Sequence, residues 1–219
     1  MAVKPILFSG PMVRAIIEDR KNVTRRAIKP IPSLVGFVHV ENREMVPYGE
    51  RRYTGWCAEV GQLALLLPRE PRYRKGDVLY VKEAWRVTEE YDHLPPRDIP
   101  RDAVIEYLAT DVPFVLGRYR HARFMREWMT RLWVRVTEEP TPERVRDITE
   151  AEAIREGVER FTSPIGVQGW KPYREGALDV LQFPQNSFQT LWESIHGPDS
   201  WERDWVWRYA FKRTEAPDA

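Results

Sequence analysis

Residues able to hold a charged ligand are concentrated near the N-terminus, in the run Arg20-Lys21-Asn22-Val23-Thr24-Arg25-Arg26. Lysine supplies a compact cation, threonine a hydroxyl, and arginine a planar fork that fits phosphate oxygens and base edges. A preceding helix explains cations at its C-terminal end, but not the polar run that continues into a strand. We therefore predict contact with an anionic, hydrogen-bonding ligand such as a nucleotide. Alternate strand residues face opposite sides, which favours Arg26 over Arg25 beside Thr24.

A second basic segment, RYRHARFMREWMTRLWVR at residues 118–135, contains six arginines and one histidine against the single acid Glu127. Aromatic residues are interleaved with the arginines, and this mixture is typical of a nucleic-acid surface, where cations bind phosphates and flat rings stack on bases. The alternative is a helix with a solvated arginine face and an aromatic core face, because arginine also favours helices. The residues predicted to bind nucleic acid are Arg25, Arg26, Arg118, Arg120, Arg123, Arg126, Arg131 and Arg135.

Length and composition indicate a soluble globular chain. The 219 residues suit one large domain, and a content of 42% hydrophobic and 31% charged residues is typical of globular proteins. The net charge of only +1 excludes a protein that binds polyanions over its whole surface. No apolar run approaches the roughly 20 residues that span a bilayer, and the N-terminus lacks a secretory pattern, so a cytoplasmic location without a membrane partner is expected. A single cysteine and four scattered histidines predict no disulfide and no metal site, and no cofactor motif is found.

Hydrophobic periodicity predicts more strands than helices, and the helices are short. The class is therefore α+β with a mostly antiparallel, barrel-like sheet. Trp85, Trp192, Trp201, Trp205 and Trp207 are most simply core residues. The predicted strands are 4–8, 34–40, 63–67, 78–81, 104–108, 132–136 and 205–212. The first predicted helix starts at Ser9-Gly10-Pro11 and runs to about Arg20. The other predicted helices are 125–130, 149–156 and one that begins at Asn186 or Ser187 and ends at Gly197.

Six blocks follow one another in a family-specific order: KPILFSGPMVRAIIEDRKNVTRRAIKP, KGDVLYVKEAW, FMREWMTRLWVRVT, DITEAEAIREGV, FQTLWESIHGPDSW and WVWRYAFKR. The chain thereby resembles phage- and prophage-associated proteins of the ASCH (activating signal cointegrator homology) family. This resemblance implies a PUA-like β-barrel with short peripheral helices, formed by residues 1–219 as a single domain. Residues 33–75, with a predicted hairpin, and residues 158–184 fall outside the match and are interpreted as insertions.

The resemblance also implies candidate catalytic residues. Small bacterial ASCH proteins that hydrolyse N4-acetylcytidine use a lysine and a threonine in a K-x-x-T pattern, which Lys21 and Thr24 match. The family's glutamate is expected on a later strand, where this chain has Arg135. A guanidinium stays protonated and cannot act as a general base, so Glu83 on a neighbouring strand is the candidate replacement.

The primary functional prediction is binding of nucleic acid, or of a nucleotide extracted from it, as base-flipping domains do. Three alternatives stay open at this point. One is amidohydrolase activity on N4-acetylcytidine-type nucleosides through Lys21, Thr24 and Glu83. Another is ribonuclease activity, and the third is a non-catalytic phage accessory role that requires only a protein partner. The sequence does not distinguish DNA from RNA and does not indicate an oligomeric state.

Overall fold

The computed structural model describes residues 3–29, 70–110 and 117–217, together with the backbone of five strands between 33 and 66. The described strands are β1 (Val3–Leu7), β2 (Val23–Ala27), β3 (Ser33–Glu41), β4 (Glu44–Pro47), β5 (Tyr53–Thr54), β6 (Cys57–Val60), β7 (Leu63–Leu66), β8 (Val78–Lys82), β9 (Trp85–Arg86), β10 (Glu106–Tyr107), β11 (Trp133–Val136), β12 (Thr141–Arg144), β13 (Arg160–Thr162), β14 (Gln168–Trp170) and β15 (Trp205–Thr214). The described helices are α1 (Gly10–Ile17), α2 (Glu150–Arg155), α3 (Pro184–His196) and α4 (Ser200–Arg203), with 3-10 turns at Glu89–Tyr91, Ala122–Phe124, Glu127–Met129 and Val145–Asp147.

The main sheet has six strands and is mixed, which confirms the α+β class. Its strand order is β1-β8-β11-β15-β12, and β2 also pairs with β15. β1 and β8 are parallel, whereas β11 is antiparallel to both of its neighbours and β12 is antiparallel to β15. Among the described strands this sheet is an open path, and closure into a barrel is not seen.

The chain divides into two compact units, each assembled from separated stretches. The first unit comprises Met1–Asn22, Tyr73–Glu139 and Ala210–Ala219, and the second comprises Val23–Arg72 and Pro140–Tyr209. β15 therefore contributes its later residues to the first unit and its earlier residues to the second. In the first unit, β8 lies between β1 and β11, and its residues Val78, Leu79 and Val81 are at most 1% exposed. This burial on both faces explains the continuous apolar run of that strand.

Helix α1 ends earlier than the periodicity predicts. Pro11 lies in its first turn, where a missing N–H is tolerated, and Val13, Ala15 and Ile16 form its buried face. Asp19 then adopts a left-handed backbone with φ of 57°, a conformation that aspartate tolerates better than most residues. The backbone N–H groups of Arg20 and Lys21 both donate to the carbonyl of Ala15, so the chain leaves the helix before reaching Lys21.

The second unit packs its helices around a tryptophan-rich core. Its members are Val145, Ile148, Ala153, Val158, Trp170, Phe188, Trp192, Trp201 and Val206. The predicted core positions of Trp192, Trp201, Trp205 and Trp207 are confirmed, since each is at most 9% exposed. Such rings bury a large apolar area at little cost in side-chain entropy, which suits a core assembled from short elements.

Helix α3 begins before the predicted cap. It starts at Pro184, whose fixed φ suits a first helical position, and the prediction of Asn186 or Ser187 as the cap is wrong. The Ser187 hydroxyl instead donates to the carbonyl of Lys171, 2.6 Å away. The predicted end is confirmed, because Gly197 follows the last helical residue with φ of 90°, which glycine adopts freely.

The two predicted insertions contain sheets of their own. Between residues 33 and 66, β3 and β7 match the strands predicted at 34–40 and 63–67, and Leu67 itself lies outside the described residues. These strands belong to a five-stranded antiparallel sheet of order β5-β4-β3-β7-β6, which is larger than the predicted hairpin. The 158–184 stretch carries the antiparallel pair β13 and β14.

Candidate nucleic-acid interface

The first unit contains a groove of about 840 Å³. Its lining joins strand residues of the main sheet, a proline-bearing loop and the two 3-10 turns of the basic segment. The lining residues are Tyr80, Lys82, Pro95, Pro96, Arg97, Arg101, Arg123, Phe124, Met125, Arg126, Glu127, Trp128 and Trp133.

The charge of this lining is strongly unbalanced. Five of the lining residues are lysine or arginine, and Glu127 is the one acid among them. Four others are aromatic, and Phe124 is 52% exposed. Cations able to bind phosphate oxygens therefore lie beside rings able to stack on bases, while the chain as a whole carries a net charge of only +1.

The sheet side of the groove comes from β8 and β11. Tyr80 and Trp133 are direct partners in the register of the two strands, so their side chains share one face. Their ring centroids are 6.0 Å apart with planes inclined at 55°, a tilted aromatic contact. Lys82 follows Tyr80 at two-residue spacing on the same face, and its Nζ donates to the carbonyl of Arg123 at 2.5 Å. This bond fixes the basic segment against the strand.

The basic segment does not form an α-helix, so the prediction of a helix at 125–130 is wrong. Its irregular path brings Arg123, Phe124 and Arg126 to the groove. Met125 has an extended backbone with ψ of 134°, which separates the two 3-10 turns. Met125 and Met129 are each 1% exposed and anchor the segment in an apolar cluster. Between these anchors Arg126 and Glu127 are exposed, whereas Trp128 is partly buried against the same cluster.

Arg120 positions the loop on the other side of the groove and does not line it. Its guanidinium is buried and donates to the carbonyls of Leu94 and Tyr91, at 3.1 and 2.8 Å. Burial lowers the pKa of Arg120, and the nearby charge of Arg118 lowers it further. These bonds, together with buried Ile99, anchor the loop that carries Arg97 and Arg101. The predicted role of Arg120 in binding is therefore corrected to a structural one, because its donors point into the protein.

The ion pair between Glu83 and Arg131 also holds the basic segment in place. Both oxygens of the Glu83 carboxylate, 1% exposed, accept from the guanidinium of Arg131 at 3.0 Å, a bidentate pair. The same guanidinium lies 4.2 Å from the Tyr107 ring centroid, and the Tyr107 hydroxyl donates to the carbonyl of Met129. Glu83, the predicted replacement for the family's glutamate, therefore has both oxygens bound by Arg131 and does not line the groove.

The residues of the first predicted run are placed in different units. Lys21 belongs to the first unit, is 2% exposed, and has its Nζ 5.8 Å from the ring centroid of Phe8. Thr24 belongs to β2 of the second unit and is 3% exposed. Arg26 is half-buried on the same strand.

Arg25, predicted to bind nucleic acid, lies inside a cluster of carboxylates in the second unit. Its three guanidinium nitrogens donate to Glu143, Glu156 and Glu152 at 2.6, 3.1 and 3.1 Å. Burial disfavours its charge, but the carboxylates of Glu156 and Glu143 outweigh that cost and raise the pKa of Arg25. Arg208 adds a bidentate pair to Glu152. We correct the role of Arg25 from ligand binding to structure, because each of its three guanidinium nitrogens donates to an internal carboxylate and its side chain is 1% exposed.

The two remaining predicted arginines do not line the groove. Arg118 is exposed, and its backbone N–H donates to both oxygens of the Asp92 carboxylate. Arg135 is half-buried on β11 and donates to the carbonyl of Gly76 at 3.4 Å. Of the eight arginines predicted to bind nucleic acid, the groove therefore brings together Arg123 and Arg126.

Sequence reasoning missed Lys82, Arg97 and Arg101, which complete the cationic lining. Two-residue spacing from Tyr80 was a usable signal for Lys82, since both fall on one face of a predicted strand. Arg97 and Arg101 lie in a loop whose path depends on Arg120, and their own sequence context carries no such signal.

The described ranges contain no group of three or more histidine, cysteine, aspartate or glutamate side chains that could hold a metal ion. None of the helices described combines the length and apolar character needed to cross a lipid bilayer. No protein-family model, no curated protein and no solved structure matches this chain. We therefore interpret the groove from its own chemistry.

Proposed function

We propose that the first unit binds nucleic acid in the groove lined by Lys82, Arg97, Arg101, Arg123 and Arg126. The observation that carries the proposal is the concentration of five cations and four aromatic rings in one concave surface with a single carboxylate. Phosphates are the anions that arginine forks fit best, and rings beside them give bases a surface to stack on.

The electrostatics of the groove favour a polyanion over a small acid. Five cations around one concavity add their potentials, whereas a monoanionic ligand would leave most of that positive charge uncompensated. Binding releases condensed counterions, so affinity falls with salt by a logarithmic slope of about 0.7–0.9 for each phosphate contacted.

ASCH membership and a PUA-like barrel belong to the same proposal. The order of the six sequence blocks supports both, and the mixed sheet with peripheral helices is compatible with them. The single cysteine suits a reducing compartment, so a cytoplasmic location is part of the proposal as well.

Fluorescence anisotropy with a labelled oligonucleotide across a salt series tests the proposal. We expect affinity to fall steeply with salt in the wild-type protein, and the slope to decrease by about one unit in Arg123→Ala and in Arg126→Ala. Arg174→Ala is the matched control, since it removes an exposed arginine of the second unit that pairs with Asp179. Binding that is absent, insensitive to salt, or equally weakened by the control substitution would contradict the proposal.

A further inference from the structure

We infer that the groove takes single-stranded nucleic acid and holds its unpaired bases on two separate aromatic surfaces. This inference rests on the proposed function and specifies its ligand. The first surface is the ring of Phe124, and the second is the Tyr80–Trp133 pair on β8 and β11.

Phe124 is the more unusual of the two surfaces. Its side chain is half exposed although it lies between the buried anchors Ala122 and Met125, which could have drawn an apolar ring inward. The Arg123 guanidinium lies 4.9 Å from the Phe124 ring centroid, so a planar cation and a planar ring are already associated in the groove. A base can stack on either of these planar groups, since guanidinium and aromatic faces are both established base platforms.

The sheet side offers the second surface at a different place in the lining. Tyr80 and Trp133 are half-buried, and their strand register fixes their positions on one face. The inclination of 55° between their rings prevents the two from stacking fully on each other. Both rings also line the groove, so the part of each ring that faces it is the surface we assign to a ligand base.

Duplex nucleic acid cannot use these surfaces. In a duplex the base faces are covered by neighbouring bases, and a protein contacts base edges and phosphates instead. A half-exposed ring inside a basic groove therefore adds little to duplex binding but much to the binding of a single strand. The groove volume of about 840 Å³ lies near the upper end of the roughly 300–1,000 Å³ typical of small-molecule sites, which suits a few nucleotides and not a long helix.

The test compares oligonucleotides of equal length. The probes are labelled eight-nucleotide single strands of deoxythymidine and of uridine, the corresponding duplexes kept below their melting temperature, and an abasic strand that keeps the phosphates. A duplex carries twice the charge of its single strand, so charge alone would favour the duplex. We expect either single strand to bind at least about 10-fold more tightly than its duplex and than the abasic strand, since stacking of each base contributes a factor of about 5–150. DNA and RNA strands serve as parallel arms, because stacking alone does not distinguish them.

Substitution of Phe124 separates stacking from charge. Phe124→Ala should weaken single-strand binding by about 5- to 100-fold while leaving the salt slope unchanged, and Phe124→Trp should restore binding. Phe183→Ala is the matched control, because Phe183 is 45% exposed in the second unit. Circular dichroism of each variant establishes that it is folded.

The outcomes distinguish the inference of single-strand binding from the proposal of nucleic-acid binding on which it rests. Salt-dependent binding in which duplex or abasic strands equal the single strands would overturn the inference and leave nucleic-acid binding standing. Unchanged affinity in folded Phe124→Ala would also overturn it. Failure of every probe to bind would overturn both.

Discussion

Two pairs of arginines, one pair in each unit, have opposite environments. In the second unit, Arg25 and Arg208 surround Glu152, and carboxylates occupy their guanidinium donors. In the first unit, Arg123 and Arg126 are exposed on a groove with one acid in its lining. The same residue type thus serves internal charge compensation in the first of these pairs and a positive surface in the second. Whether an arginine binds a ligand therefore depends on which carboxylates the fold brings to it, and not on its neighbours in the chain.

The largest expected effect on stability comes from removing one of the internally paired arginines. Arg25→Ala leaves Glu156, whose side chain is 3% exposed, without its guanidinium partner. Removing one member of a buried ion pair typically costs about 3–5 kcal/mol, so the free energy of unfolding should fall by about that amount. Arg126→Ala should change it by less than about 0.5 kcal/mol, because its side chain is exposed. Urea denaturation measures both values, and similar losses in the two variants would contradict the distinction.

Acid titration provides a second way to separate the two regions. Burial disfavours the charge of Glu152, but hydrogen bonds and charge from Arg208, with Arg25 and Arg155, lower its pKa from 4.5 to about 2. A carboxyl that binds protons more weakly in the folded state stabilises the protein fully above the unfolded pKa. That stabilisation is lost as the pH falls from about 4.5 to about 2. Glu143 acts in the opposite direction, since burial raises its pKa and the folded state gains stability as it protonates.

Comparison with Glu152→Gln isolates the contribution of Glu152 from that of Glu143. At pH 6 the wild-type protein should be more stable than the variant by on the order of 2 kcal/mol, after allowance for solvent screening. The difference should shrink steadily below pH 4.5. Urea denaturation at a series of pH values measures it, and a difference that is independent of pH would show that the arginines do not hold the Glu152 carboxylate in its charged form.

These contrasts also explain how far the sequence could predict the structure. Strand β8 was predictable because four adjacent apolar β-formers dominate their neighbourhood, and the tryptophans were predictable as core because of their size. The basic segment was predictable as a stretch rich in cations and aromatic rings, and two of its six arginines, Arg123 and Arg126, line the groove.

Other features depend on long-range contacts that no local pattern contains. Arg25 meets carboxylates more than 100 positions away along the chain, and Arg131 meets Glu83 at a separation of 48. The 3-10 turns replace a helix because Met125 is anchored in an apolar cluster, which is a tertiary constraint. The sequence therefore shows which residues are charged, whereas the tertiary structure determines which of them form ion pairs.

The smallest expected effects come from two buried glutamates of the first unit. Glu83 is 1% exposed and is bound by Arg131. Glu106 is 0% exposed, and among the described residues neither of its oxygens has a hydrogen-bond partner, although Arg86 lies opposite it in the register of β9 and β10. Glu83→Gln should lower the free energy of unfolding by about 1–2 kcal/mol, because it removes half of a bidentate charged pair.

Glu106→Gln should instead change the free energy of unfolding by less than about 1 kcal/mol, since one buried polar group without a hydrogen bond to the described residues replaces another of the same shape. Urea denaturation at neutral pH compares the two variants with the wild-type protein. A larger loss of unfolding free energy for Glu106→Gln than for Glu83→Gln would mean that the Glu106 carboxylate stabilises the fold. The number of hydrogen bonds that a buried glutamate makes would then not predict its contribution to stability.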